Sequence, residues 1–430
     1  MQISAFELIF GFSRALDMVK PQLAGHHLGV AWISDELGRA LNLPSPSLTL
    51  WQIFVAAMLH DAGAIPLRVS TDDLLFERKT WLHSRAGWAL LSRCSFLKPM
   101  AELVLFHHTP WSRLRNKTAT LFPANIIHLA DRLEFLLRAD NGPVCLSELK
   151  HRLPDLNTQF RPELVEALYQ FSHRHADFFP RPSREDMERD LRSRYAHIIL
   201  DPDHLISFCF LFSLITDFRS PFTATHTAGV AHTACILHRR HMLRTEGKVD
   251  REQNRKVFVA GLLHDIGKLG IPGAILEKEG PLDHDEFNQM KRHAELSLSL
   301  LDGIPGFEDI RIWGALHHER LNGKGYPLGL TADQIPLPSR IMAVADIFTA
   351  LLEDRPYRTG MPLAHALDIL QTMEHNGHLD SEVLLTLRSN AEHINKVRAA
   401  AQLHARKRLD SLYRICAAPP EADISHTISG

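Results

Sequence analysis

One block of sequence occurs twice, and this repeat limits the fold more than any other feature of the chain. Residues 53–64 read IFVAAMLHDAGA and residues 257–268 read VFVAGLLHDIGK, identical at seven of twelve positions. Further pairs extend the register: GHHLGVA (25–31) with THTAGVA (225–231), HSRAGWALL (83–91) with HAELSLSLL (293–301), HH at 107–108 with HH at 317–318, and AD at 130–131 with AD at 345–346. The offset between copies runs 200, 204, 210, 210 and 215. Drift in one direction is what loop insertions produce, because loops absorb length changes that packed elements do not. Two related halves follow, 1–140 and 201–400. Between them, 141–200 carries Pro143, Pro154, Pro162, Pro180, Pro182 and a charged run from Arg181 to Arg194, and reads as a helical connector. Residues 401–430 finish the last helix and end in a tail, with Pro419 and Pro420, that is expected to be loosely ordered.

Apolar residues recur three and four apart, as in Phe6, Ile9 and Phe10 or Val257, Leu262 and Leu263, and no run alternates as a strand would. The expected fold class is all-α: two tandem helical bundles and a helical connector. At 430 residues, 45% apolar and 23% charged, the chain has enough material for two to three cores. A net charge of −2 gives no overall field for a polynucleotide or an anionic membrane. Glu7, Arg14, Asp17 and Lys20 break up any signal-peptide layout at the amino terminus. The longest apolar stretch, Leu205–Ile215, is too short to span a bilayer and reads as a buried helix, the place to look for a domain contact or a homodimer interface. Cys94, Cys145, Cys209, Cys235 and Cys416 are scattered singly, as in a protein of the reducing cytoplasm.

The 27 histidines are unusual, because neutral imidazole is the commonest metal ligand. A lone HD dipeptide means little, and His284–Asp285 is such a case. Order carries the signal. The second half presents His226, His264–Asp265, His293, His317–His318 and Asp346; the first presents His26, His60–Asp61, His83, His107–His108 and Asp131, with His27 as an alternative to His26. Five imidazoles and two carboxylates suit two divalent metal ions if one aspartate bridges. Such donors favour iron or manganese, with zinc, cobalt and nickel as alternatives, over calcium or magnesium. A two-metal centre is suited to phosphodiester cleavage.

The segments LLHDIGKLGIP (262–272), HHERLNGKGYP (317–327) and ADIFTALLEDRPYR (345–358) strongly resemble the HD-GYP family, bacterial phosphodiesterases of the HD superfamily that hydrolyse cyclic dinucleotides. The resemblance implies HD-type bundles in which His226, His264, Asp265 and Asp346 hold one metal and Asp265, His293, His317 and His318 the other. It also implies that Lys268 lies over the site and polarises the phosphate or the nucleophile, and that Arg355 and Arg358 bind phosphate. Tyr326 either shapes the turn beside Gly323 and Gly325 or contacts a guanine. Two departures stand out. Asn322 replaces the usual aspartate of the GYP loop, and Phe222 stands where some members have a glutamate that holds a third metal, so two ions are expected. In the first half Ala64 replaces Lys268 and the GYP and RPYR segments are missing. That half is expected to be a degenerate HD domain that binds metal, or serves only as structure, without hydrolysing the substrate.

The expected activity is conversion of cyclic di-GMP or 3′,3′-cyclic GMP-AMP to the linear dinucleotide. One rival reading is a catalytically weak receptor whose GYP loop docks a diguanylate-cyclase-type partner; another is a nucleotide phosphohydrolase of the wider HD superfamily.

Overall fold

The computed structural model describes residues 2–43, 48–65, 67, 69, 80–114, 121–139, 144–153, 156–174, 178–179, 182–219, 225–354 and 359–417. Its elements are helices and short 3-10 turns, with strands of only two residues among the described residues. The chain divides into two compact units, one of Ser4–Ile199 with Leu412–Gly430, the other of Leu200–Ser411 with Met1–Ile3.

In the first unit, helix His26–Ala40 packs on Leu48–Leu59 and on Phe122–Ala139, while Thr80–Leu91 packs on Lys98–Phe106 and on the 3-10 turn Ala62–Ala64. Apolar side chains three or four apart meet inside: Phe6 stacks on Phe10 and Phe54, and Phe54 also stacks on Trp51 and Tyr195. Each such ring removed from water contributes about 1.5–3 kcal/mol. The charged run of 141–200 forms helix Arg184–Tyr195, capped by the Ser183 hydroxyl. Its arginines face acids of the same unit, Arg192 on Glu7 at 2.7 Å and Arg194 on Glu36 at 2.8 Å. Val144–Cys145 pairs antiparallel with Phe178–Phe179.

The second unit repeats the plan. Helix His226–Thr245 packs on Arg251–Leu263 and on Leu337–Leu352, and His284–Leu300 packs on the 3-10 turn Ile266–Gly270. Asp283 starts His284–Leu300 with a capping box: its carboxylate accepts from the amides of Asp285 and Glu286, and Glu286 accepts from the Asp283 amide at 2.8 Å. Orphan amides of the first turn are satisfied in this way. The apolar stretch Leu205–Ile215 lies in helix Pro202–Arg219, which packs within this unit against Arg251–Leu263 and Ile266–Gly270. Among the described residues no helix is long and apolar enough to cross a membrane.

Candidate metal centre

Helix ends and two helix interiors bring the second-half series together. His226 opens helix His226–Thr245, and His264 and Asp265 sit where Arg251–Leu263 gives way to the 3-10 turn. His293 lies on His284–Leu300, His317 and His318 on a 3-10 turn after Glu308–Ala315, and Asp346 on Leu337–Leu352. Donor atoms of His226, His264 and Asp265 lie within 4.8 Å of one another, as do those of His293, His317 and His318. Asp265 stands between the groups: Oδ2 is 3.1 Å from His264 Nε2, and Oδ1 is 3.3 Å from His293 Nε2 and 3.9 Å from His317 Nε2. Asp346 Oδ1 is 2.9 Å from His226 Nε2.

Local backbone fixes the rings. His264, His293 and His317 each direct Nδ1 at the carbonyl three residues earlier, of Gly261, Met290 and Gly314, at 2.8, 2.6 and 2.7 Å. A carbonyl only accepts, so Nδ1 carries the proton and Nε2 presents its lone pair to the cluster. Burial disfavours the charged form of His293 and His317, pushing His317 down to about 3. Nε2 of His264 and His293 and Oδ1 of Asp265 are buried without hydrogen-bond partners. Buried lone pairs left in this state are costly, and a divalent ion would satisfy them: the residues fit the metals that the motif implies.

His226 differs. Burial opposes a charge on it, but Glu353 and Asp346 outweigh that and raise it to about 10. Glu353 is 5% exposed; its Oε1 and Oε2 lie 3.1 and 3.2 Å from His226 Nδ1, and Oε2 also accepts from Gln402 Nε2 at 2.9 Å. The motif reading missed Glu353 and Gln402. A second supporting acid, Asp217, is buried and accepts from the hydroxyl of Thr227, next to His226. Lys268 places Nζ 2.5 Å from Asp265 Oδ2; burial disfavours its charge, but Asp265 holds it protonated.

The first unit brings its series together in the same way. His60 and His107 direct Nδ1 at the carbonyls of Ala57 and Val104, at 2.8 and 2.6 Å. Asp61 Oδ2 is 3.5 Å from His60 Nε2, Asp61 Oδ1 is 3.4 Å from His83 Nε2, and His26 Nε2 is 3.2 Å from Asp131 Oδ1. Donor atoms of Asp61, His83, His107 and His108 form one close group, and those of His26, His60 and Asp61 another. Glu134, with Oε2 2.5 Å from His26 Nδ1, does here what Glu353 does in the other half. His27 turns to Asp17 at 2.8 Å, in the register of Thr227 and Asp217, and is in neither group.

Two glycine positions of the repeat acquire a physical reason. A Cβ on Gly267 would lie 2.0 Å from the His293 carbonyl, and one on Gly63 2.1 Å from that of His83. The helix bearing the third histidine therefore backs directly onto the HDxG turn in both halves. Likewise a Cβ on Gly29 would meet the Glu134 stem at 2.6 Å, and one on Gly229 the Gln402 side chain at 3.0 Å, so glycine three residues after the first histidine admits the side chain that supports it.

Residues 222–383 and, separately, 23–136 match the HD domain family. The chain is 30% identical over 403 residues to 3′3′-cGAMP-specific phosphodiesterase 1 of Vibrio cholerae, covering 90% of this chain and 91% of that protein. The chain belongs to the HD-GYP family. A second relative, a cyclic di-GMP phosphodiesterase response regulator of Xanthomonas campestris, is 36% identical over 188 residues, 43% of this chain and 44% of its own. The crystal structure of a cyclic GMP-AMP-specific phosphodiesterase of Vibrio cholerae covers 91% of this chain and 98% of its own with a TM-score of 0.59 at 24% identity, a likeness of fold.

The loop that names the HD-GYP family is held from inside by Glu319. This carboxylate, 2% exposed, accepts from the amides of Leu328, Gly329 and Leu330 at 2.7, 3.1 and 2.9 Å. Gly325 passes so close to the chain that a Cβ would sit 2.3 Å from the Arg320 amide. The loop thereby sets the Tyr326 ring 4.6 Å from that of His318. Asn322 uses both ends of its amide, accepting from the Lys324 amide and donating to the Asn376 carbonyl, each at 3.1 Å; the aspartate usual in HD-GYP proteins lacks that donor. Arg320, partly buried, also escaped the motif reading; burial lowers its pKa, and the charge of Asp346 works against that. Phe222, Arg355 and Arg358 lie outside the described residues.

Proposed function

We propose that the second half of this chain is a metal-dependent phosphodiesterase that opens a 3′,3′-cyclic dinucleotide to the linear dinucleotide, with cyclic GMP-AMP as its substrate. One observation carries the reading: a largely buried set of five imidazoles and two carboxylates, with orphaned lone pairs, lies beside Lys268 and a GYP loop that only the second copy possesses. Substrate choice rests on extent of match. The cyclic GMP-AMP-specific relative aligns along nine-tenths of both chains, whereas the cyclic di-GMP relative matches less than half of either.

In this reading His226, His264, Asp265 and Asp346 hold one ion and Asp265, His293, His317 and His318 the other, with iron or manganese favoured over zinc, cobalt or nickel. When bound, such a pair supplies hydroxide near neutral pH and offsets charge on the phosphoryl group. The side chains then divide the remaining work. Lys268, held protonated by Asp265, donates to a phosphoryl oxygen as charge builds there. Arg355 and Arg358 clamp the second phosphate, since planar guanidinium matches phosphoryl geometry, and Tyr326 offers its ring face to a base. Five cysteines scattered singly along the chain support a reducing, cytoplasmic setting. Exposed Leu328 beside the GYP turn is where a diguanylate-cyclase-type partner would dock.

The test is hydrolysis by the full chain, loaded anaerobically with iron or manganese, of cyclic GMP-AMP and cyclic di-GMP side by side. Faster loss of cyclic GMP-AMP, abolished by Asp265→Ala, is expected. Preference for cyclic di-GMP overturns the substrate; binding of either without turnover makes the protein a receptor, and turnover of mononucleotides alone makes it a general HD phosphohydrolase.

A further inference from the structure

We propose that the first half holds its own pair of divalent ions in a centre sealed against nucleotides, a site for retaining metal rather than for hydrolysis. The donors are built for it. Asp61 offers one oxygen to His60 and the other to His83, as Asp265 does to His264 and His293. His83 Nε2 and His108 Nε2 point at each other 3.0 Å apart, and Nε2 of His60 and of His107 are buried without hydrogen-bond partners. The glutamate support is kept, and so are the carbonyl anchors of His60 and His107, while Nδ1 of His83 is buried without a hydrogen-bond partner. A cluster that served only as packing would not need five rings with their donor nitrogens turned inward.

Access is what has been removed. The cavity at the cluster, lined by Leu23, Phe135 and Arg132 together with the ligands, measures about 10 Å³, room for about one water-sized occupant, where small-molecule sites run to hundreds of Å³. Leu23, 4% exposed, packs on Ala64, the position at which the other copy carries Lys268, and Val69 packs on both. Arg132 bonds Asp131 Oδ2 at 2.7 Å and lies 5.9 Å from the Phe135 ring, so it joins that ring over the ligands; its counterpart in the repeat is Ile347.

Metal content and release test the proposal apart from the catalytic reading. The full chain carrying His264→Ala and Asp265→Ala, which removes second-half binding, is grown in manganese- or iron-supplemented medium, and metal per chain is counted by mass spectrometry. Retained metal that disappears on adding His60→Ala and Asp61→Ala, or the milder His83→Gln with the circular dichroism unchanged, is the expected result. A count that first-half substitutions do not alter overturns it. In the same background, metal loss to excess chelator should be at least about tenfold slower than from the second half of a chain carrying His60→Ala and Asp61→Ala, and Leu23→Ala should speed it. Equal release rates overturn the seal, and failure of hydrolysis alone bears only on the catalytic half.

Discussion

Replacing Glu353 with alanine removes the carboxylate that receives Nδ1 of His226 at 3.1 and 3.2 Å and Nε2 of Gln402 at 2.9 Å. At 5% exposure solvent does not readily replace it. The His226 ring loses its orienting partner and the basicity that partner lends, and supporting residues of this kind change metal affinity by about 10- to 100-fold. That is about 1.4–2.8 kcal/mol. Two buried donors left unpaired add a folding cost of about 1–3 kcal/mol each. Glu353→Gln keeps an acceptor for Nδ1 but loses the charge, so it should fall between Ala and the native chain. The assay is manganese binding in a metal buffer, in a chain whose first half carries His60→Ala and Asp61→Ala so that only second-half ions are counted. Ala, Gln and native affinities in rising order are expected. Native affinity in a folded Glu353→Ala chain would refute the claim that this glutamate positions the ligand.

Other substitutions test separate parts of the site. Gly267→Ala forces a methyl against the His293 carbonyl at 2.0 Å, and overpacking of this kind costs about 1–3 kcal/mol or more; thermal melting should show the second unit weakened and its metal content reduced. Lys268→Met should lower kcat about 10²- to 10³-fold with metal content by mass spectrometry unchanged, and loss of metal instead would make the lysine structural. Asn322→Asp should keep the bond from the Lys324 amide and lose the one to the Asn376 carbonyl, leaving hydrolysis rates within about tenfold, since a single exposed hydrogen bond contributes about 0.5–1.5 kcal/mol. Accepting the Glu286 and Asp285 amides lowers the pKa of the Asp283 cap. Its stabilisation is therefore full above the ordinary carboxylate value near about pH 4 and lost as pH falls through the lowered folded value. The melting-temperature gap between native protein and Asp283→Asn should narrow on acidification below about pH 4; a gap independent of pH contradicts this.

The repeated order of histidines and aspartates was enough to reveal a two-copy, all-helical chain and to name the side chains that the fold brings together. Such ligands recur in fixed order, and each ring that bonds the carbonyl three residues earlier does so within its own segment, so the sequence already contains the geometry that aims it. HDxG was legible as a motif, but its glycine was not legible as a packing requirement, because the third histidine's helix, which presses on it, begins 17 residues later in each half. Glu134 and Glu353 were hidden for a related reason. One lies three residues after its aspartate and the other seven, so the alignment of the copies separates two groups that space unites on equivalent rings. Ala64 showed that the first half lacks a counterpart of Lys268. Only the tertiary structure put Leu23 into the space and Arg132 onto Asp131, because closing a cavity takes side chains from segments that no local pattern connects.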